Sequence, residues 1–416
     1  MNNYLILLRK NPNYRNLWLA RLVSNLGDWF NLMASAALIA MLTDSGMAVS
    51  YLFLARLLPM FLFSPIAGVL ADRFNRRNLL IISDLCRMGI VLCFLLIRDP
   101  SQIWLFYLLT AGQFVLSALY QPAHSAVISN IVEPEDLVTA NALDGFTWST
   151  MLALGAFLGG IATGLFGLTT AFILDAGTFV LSAWFLYQIV WTHESTHAEA
   201  SAGGGYFDFI EGLRYLRGRP FILGISLVKT GGSLVWAGIH VLEIPLAEEM
   251  FPIAGSGSYT LGMIYGLLGL GTGVGPLLLA HWLGDSRAAM LRALTISFIL
   301  HFIGVLVLGM ANDLVTVGVA TLLRGFGSGA IWVFSSSLLQ QLVDDRFRGR
   351  VFAFDFTMLT LAQSISTLLA GVAMDSMGLT IPMILLYMGC VGIITTVIWG
   401  AFVKMKGAED SAMALS

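Results

Sequence analysis

The chain is 416 residues long, 57% hydrophobic and only 11% charged, with a formal net charge of −3. A soluble globule of this size needs far more polar surface, so the composition excludes one and indicates an integral membrane protein. The net charge averages two aqueous faces separated by lipid, and nothing in the chain points to a nucleic-acid partner.

Hydropathy predicts apolar spans near 17–42, 48–71, 78–98, 102–131, 140–166, 168–190, 221–244, 259–283, 288–309, 314–340, 349–376 and 380–403. Each is long enough to cross a bilayer as a helix, giving an all-α integral membrane fold with twelve transmembrane helices. With both termini inside, sixteen of the 22 basic residues fall in cytosolic segments and Arg98 alone falls in an external loop. Arg21, Arg56, Arg87, Lys229 and Arg324 fall within spans. That asymmetry orients the chain by the positive-inside rule. Cys86, Cys93 and Cys390 all lie in spans, where they are expected to pack as small apolar residues and to form neither a disulfide nor a metal site.

Residues 1–16 lack the long apolar core and small-residue cleavage site of a signal peptide, so no cleavable one is expected. They read as a short amphipathic lead-in with Arg9, Lys10 and Arg15 near lipid headgroups. Helix 1 then carries a polar stripe: Arg21, Asn25, Asp28, Asn31 and Ser35 recur at intervals of three or four and share one face. Asp28 lies about 16 Å along the helix from Leu17, near the bilayer midplane. A charge at that depth must face water or a partner, which makes Asp28 the first candidate for proton coupling; the alternative is a structural ion pair with Arg21 or Arg56.

Between helices 2 and 3 runs GVLADRFNRR, residues 68–77. Gly68 permits close helix approach, and Asp72 with Arg73, Arg76 and Arg77 offers charges that an opposing helix end or carboxylate can hold. Asn75 tolerates a positive φ in the tight turn. In helix 3, Asp84 and Arg87 stand one turn apart and can satisfy one another. Helix 4 contains Gln113, Tyr120 and His124 and leaves through IVEPEDL, whose Glu133, Glu135 and Asp136 are expected partners for Arg73, Arg76 or Arg77. Helix 5 places Gly155, Gly159, Gly160 and Gly164 at the spacing of close helix contact. Helix 6 holds Asp175, an acid whose partner the sequence does not name.

Residues 191–220 form a polar, Gly-rich break that divides the chain into 1–190, a linker ending in a short amphipathic helix, and 221–416. His193 and His197 lie in this linker, where their spacing is weak evidence for a metal. The second half echoes the first: Leu70-Ala71-Asp72 has its counterpart in Leu283-Gly284-Asp285 at an offset of 213, and Tyr120 aligns with Trp332 at 212. Near-equal offsets imply a duplicated six-helix unit. Lys229, Trp236 and His240 share one face of helix 7, either lining a substrate path or forming a packing seam, and Glu243 follows near its outer end. Helix 8 is glycine-dense from Gly262 to Gly275. Arg324 in helix 10 demands a carboxylate or water.

The 68–77 loop resembles the signature loop of the major facilitator superfamily, with Asn75 where the family usually has Gly. RGRV in VDDRFRGRVFAFD and YQPAHSAVISNIVEPEDL are similar to segments of its drug-exporting branch, which includes macrolide efflux pumps. Gln113 stands where helix 4 of many exporters has Arg, and Gly160 where helix 5 has Pro. The resemblance implies two pseudo-symmetric six-helix bundles. It also implies a conformational latch in which Asp72 meets the start of helix 11 near Gly349 and Arg350.

The function expected is a secondary transporter in the plasma membrane, exporting a small organic or amphipathic compound by proton antiport with alternating access. Arg21, Asn25, Asn31, Arg56, Gln113, Tyr120, Lys229, Trp236, His240, Arg324 and Trp332 are the candidate cavity or substrate-path residues. A lipid or lysolipid flippase of the same fold is the rival within transport, and a receptor-like scaffold the rival outside it. The loops hold no grouping of nucleophile, base and orienter, so no enzyme is expected. No cofactor is expected, the partners being the substrate, protons and membrane lipids, with the chain acting as a monomer.

Overall fold

The computed structural model describes residues 2–190, 213–284 and 286–413, and nearly all of them are helical. Lipid offers backbone groups no hydrogen bonds, so an apolar chain satisfies them internally by coiling. The helices are α1 (Asn2–Lys10), α2 (Pro12–Leu42), α3 (Gly46–Arg73), α4 (Arg76–Cys93), α5 (Ile103–Ile131), α6 (Leu137–Thr150), α7 (Ala156–Tyr187), α8 (Pro220–Ser226), α9 (Val228–Pro245), α10 (Gly257–Leu283), α11 (Arg287–Gly309), α12 (Leu314–Leu342), α13 (Asp345–Asp375) and α14 (Ile381–Met413).

Their ends follow the local chemistry. Asn11 caps α2, its side chain accepting the Tyr14 N–H at 2.9 Å, with Pro12 in the first turn. Asn75 departs from the turn expected of it: its φ is −60°, not positive, and its side chain caps α4 by accepting the Asn78 N–H at 3.2 Å. The residue that replaces the family's glycine therefore starts a helix instead of bending a loop.

Among the described residues, ten helical runs are long and apolar enough to cross a membrane. One of them, Thr139–Tyr187, holds two crossings, because α7 breaks at Gly167, where φ is 77°. The 31-residue α2 is outside the ten, since its polar stripe lowers its hydropathy. Counted with it, twelve crossing segments match the twelve predicted.

The chain forms two compact units. The first comprises Met1–Asp44, Tyr51–Ala202 and Ala247–Gly266; the second comprises Ser45–Ser50, Gly203–Leu246 and Leu267–Ser416. In the first, α2 packs on α7, and α4 on α5 and α7; in the second, α9 packs on α13, and α11 on α12 and α14. These are the same pairings one repeat apart. Close approach in the first unit depends on the predicted glycines: a Cβ on Gly159 would lie 2.9 Å from the Trp29 carbonyl of α2, and one on Gly160 2.8 Å from the Gly262 Cα of α10.

The lead-in α1 is amphipathic as predicted. Leu7 docks into an apolar cluster with Tyr14, Leu17, Leu80, Val127 and Leu186, while Leu5 and Ile6 stay exposed. The three cysteines are free, Cys86 and Cys390 exposed and Cys93 half-buried. His193, His197 and most of the 191–220 linker lie outside the described residues.

Candidate functional site

The first unit has a polar core. Its centre is the pair predicted on α4: Arg87 contacts Asp84, and both are buried. Asp84 also accepts the Ser182 hydroxyl of α7 at 2.6 Å. The Arg87 guanidinium is sandwiched between the rings of Tyr120, 4.8 Å away, and Phe179, 4.5 Å away. Arg21 approaches the Tyr120 ring at 5.7 Å, Arg56 lies 4.6 Å from the Phe114 ring, and His124 stacks on Tyr120. Gln113 is buried with its Oε1 unpartnered, and the Tyr120 hydroxyl is likewise unpartnered.

The stripe on α2 divides in two. Its outer part is locked: Asn31 is buried and donates from Nδ2 to Asp175 Oδ2 at 3.0 Å, and Ser35 donates to Asn31 Oδ1 at 3.4 Å. Asn31 is thus the partner that the sequence left unnamed for Asp175. Arg21, Asn25 and Asp28, in the inner part, are half-buried. Asp28 makes no hydrogen bond or ion pair among the described residues, yet the guanidiniums of Arg87, Arg56 and Arg21 all act on its charge. The fixed pair with Arg21 or Arg56, the structural alternative for Asp28, is not formed.

The second unit handles its charges differently. Lys229 is buried, donates to Asp355 Oδ2 at 2.6 Å, and lies 4.9 Å from the ring of the exposed Trp332. Arg324 receives the carboxylate it demanded, contacting Glu243, which also meets His240 Nδ1 at 2.8 Å. His301 donates from Nδ1 to the Arg324 carbonyl at 2.8 Å and stands edge-on to Trp236. Lys229, Trp236 and His240 thus share a helix face but have separate partners. Sequence reasoning missed Asp355 and His301. Asp355 had a signal, an acid five residues beyond Arg350 where the helix turns apolar.

At the loops the structure departs from the expected partners. Glu133 and Asp136 face Lys10 of α1, at 2.9 and 3.8 Å, not Arg76 or Arg77. Arg77 instead donates to the carbonyls of Leu186 and Tyr187, closing the end of α7, and Arg76 donates to Asn130 Oδ1 at 3.3 Å. The physical reason is reach: α1 lies against α6, which puts an ammonium at the acidic turn, while the terminal carbonyls of α7 draw Arg77. The hydrogen bond lowers the pKa of Glu133 and raises that of Lys10. The side chains of Gly68, Asp72 and Arg73 lie outside the described residues. Glu135 and Gly349 are exposed, and Arg350 lies 5.7 Å from the Phe347 ring. Among the described residues no cluster of His, Cys, Asp and Glu is arranged to hold a metal.

The comparisons agree with this architecture. The family model described as Major Facilitator Superfamily matches residues 17–367. The uncharacterized MFS-type transporter YfiS of Bacillus subtilis (strain 168) is 26% identical over 413 residues, 94% of each chain. The putative bacilysin exporter BacE of the same strain is 24% identical over 405 residues, 96% of this chain and 95% of its own. The crystal structure of a bacterial homolog to the human lysosomal transporter Spinster, in an inward-facing and occupied conformation, is similar with a TM-score of 0.74 at 13% identity. That likeness covers 94% of this chain and 96% of the other and concerns the fold.

Proposed function

The chain belongs to the Major Facilitator Superfamily and is a multi-pass membrane transporter, and on that premise we propose that it exports a small, amphipathic organic compound by proton antiport through alternating access. The direction is supported by the likeness to a relative named as a putative bacilysin exporter. In this reading the chain lies in the plasma membrane with both termini cytosolic. Residues 1–190 and 221–416 form the two bundles, with 191–220 linking them.

One observation carries the coupling. Asp28 is an acid in the middle of a spanning helix, half-buried, acted on by three guanidiniums and held by none of them. A carboxylate locked in an ion pair is costly to protonate, whereas one held only at a distance can gain and lose a proton as its surroundings change. Arg21, Arg56 and Arg87 then sense its charge, and Asn25 stands one turn away on the same face. The proton entering Asp28 offsets the work of moving the substrate outward, because the two conformations hold the charged and neutral forms differently.

Asp28→Asn tests this. The variant inserts and purifies like the wild type but loses movement of the fluorescent cation ethidium driven by an imposed pH gradient in sealed proteoliposomes. Full pH-driven movement in the variant would remove Asp28 from the mechanism.

A further inference from the structure

Asp175 is a second acid of the same core and differs from its neighbours in how it is satisfied. It is completely buried on α7. Oδ2 accepts one hydrogen bond, from the Asn31 amide at 3.0 Å, while Oδ1 has no partner. No cation touches it among the described residues. Asp84, equally buried, has both a guanidinium and a hydroxyl donating to it, and Asp355 and Glu243 in the second unit each contact a cation. An ionised carboxylate with a single neutral donor in a fully enclosed site is the arrangement a protein interior tolerates least. The groups facing Asp175 are Asp28 from α2, Arg56 from α3 and Arg87 from α4. Arg87 is committed to Asp84, and the nearer acid of α2 repels a second negative charge.

We propose that Asp175 carries a resident proton on Oδ1 and serves as a proton-storing partner of Asp28. The geometry assigns the proton to one oxygen. Asn31 Nδ2 donates to Oδ2, so Oδ2 is the carbonyl oxygen, and the Ser35 hydroxyl on Asn31 Oδ1 fixes the amide in that orientation. Oδ1 faces the backbone of α2 at Gly27, where an added Cβ would lie 2.6 Å from it. The hydroxyl of the neutral acid therefore borders the residue next to Asp28. The step is a proton transfer only: the Oδ1–H bond of Asp175 breaks, an O–H bond forms on the Asp28 carboxylate, and the negative charge moves from α2 to α7. Asn31 connects the two, lying one turn from Asp28 and hydrogen-bonded to Asp175. Its role in transport rests on the antiport reading; the protonated state of Asp175 does not.

Infrared spectroscopy of the lipid-reconstituted full chain tests the assignment without a known substrate. A neutral carboxyl gives a C=O stretch above the amide band that shifts on exchange into heavy water. The wild type and Asp28→Asn should show this band at neutral pH, and Asp175→Asn should lose it completely. Asn31→Leu provides an independent check, because removing the donor to Oδ2 moves the band to higher wavenumber while leaving it present. A band that persists in Asp175→Asn, or that is absent from the wild type, overturns the resident proton. A band present in a wild type that shows no pH-driven ethidium movement overturns the antiport reading and upholds the protonation.

Discussion

The two halves of this chain are copies of one plan that answer the same buried position with different chemistry. Near an offset of 212, Asn31 of α2 corresponds to Glu243 of α9, and Gln113 of α5 to Arg324 of α12. The second half fills that pair of positions with an acid and a base in direct contact. The first half fills it with two amides, and Asn31 turns away to Asp175. Consequently every buried cation named in the second unit has a carboxylate, whereas the first unit, among the described residues, spends one guanidinium on Asp84 and leaves Asp28 held by none. Paired charges fix a bundle in one packing. Charges held at a distance can respond to a proton, which is why the proposed coupling is assigned to the first half.

The largest effect should come from breaking the closed half. Glu243→Gln leaves Arg324 enclosed beside an amide and a histidine, and removing one member of a buried pair costs about 3–5 kcal/mol. Thermal unfolding of the purified protein in detergent should show the loss, and adding Arg324→Met should recover most of it, because an uncharged pair needs no counter-charge. Asp28→Asn should leave the same unfolding curve nearly unchanged. If the two single variants unfolded alike, the distinction between a fastened half and a responsive one would fail.

A smaller effect sharpens the comparison from the other side. The first unit's responsive acid sits on a tight seam: an added Cβ at Gly27 meets the Thr178 hydroxyl and Asp175 Oδ1. Gly27→Ala should therefore destabilise by about 1–3 kcal/mol, since the seam must open to accept the methyl group. It should also perturb the Asn31 to Asp175 hydrogen bond, visible as a shift of the same carboxyl band. Wild-type stability with an unshifted band would show that α2 and α7 have room to spare.

Much of this was legible in the sequence because lipid imposes a simple grammar. The twelve spans followed from apolar length, the helix contacts from the glycines of helix 5, and the Asp84 to Arg87 pair from residues one turn apart. Partners on different helices were not legible. Arg324 demanded an acid, but Glu243 lies 81 positions away and Asp355 lies 126 from Lys229, separations that no helical period relates. The loop charges misled for a related reason. Arg76 and Arg77 looked like partners for Glu133 and Asp136 by sign alone, while the docking of α1, which decides the matter, depends on Leu7 finding an apolar cluster.

The smallest predicted effect lies at that docking site, where each half clamps an amphipathic segment to a helix start. In the first, Lys10 meets Glu133 in full exposure; in the second, Arg219 stacks 4.0 Å over Tyr215, whose hydroxyl donates to Asp344 at 3.2 Å. A solvated ion pair is weak and salt-sensitive. Glu133 has its pKa lowered by Lys10, so its contribution is present above the ordinary value of 4.5 and disappears as the pH falls through the lowered one. Lys10 has its pKa raised, so its contribution is present below 10.5 and disappears as the pH rises through the raised value. The clamp therefore holds between about pH 5 and pH 10. A nitroxide label at the exposed position of Leu5 should report slightly greater mobility of α1 in Glu133→Gln than in the wild type within that window, with no difference once the pH lies well below the lowered Glu133 value or well above the raised Lys10 value, or in high salt. The same label placed beside Tyr215 should respond less to salt, because a ring contact and a hydrogen bond reinforce the exposed Arg219 to Asp344 ion pair, 3.8 Å long, that holds that segment. Equal salt sensitivity at both sites would mean that the two clamps, like the two halves in outline, are the same device after all.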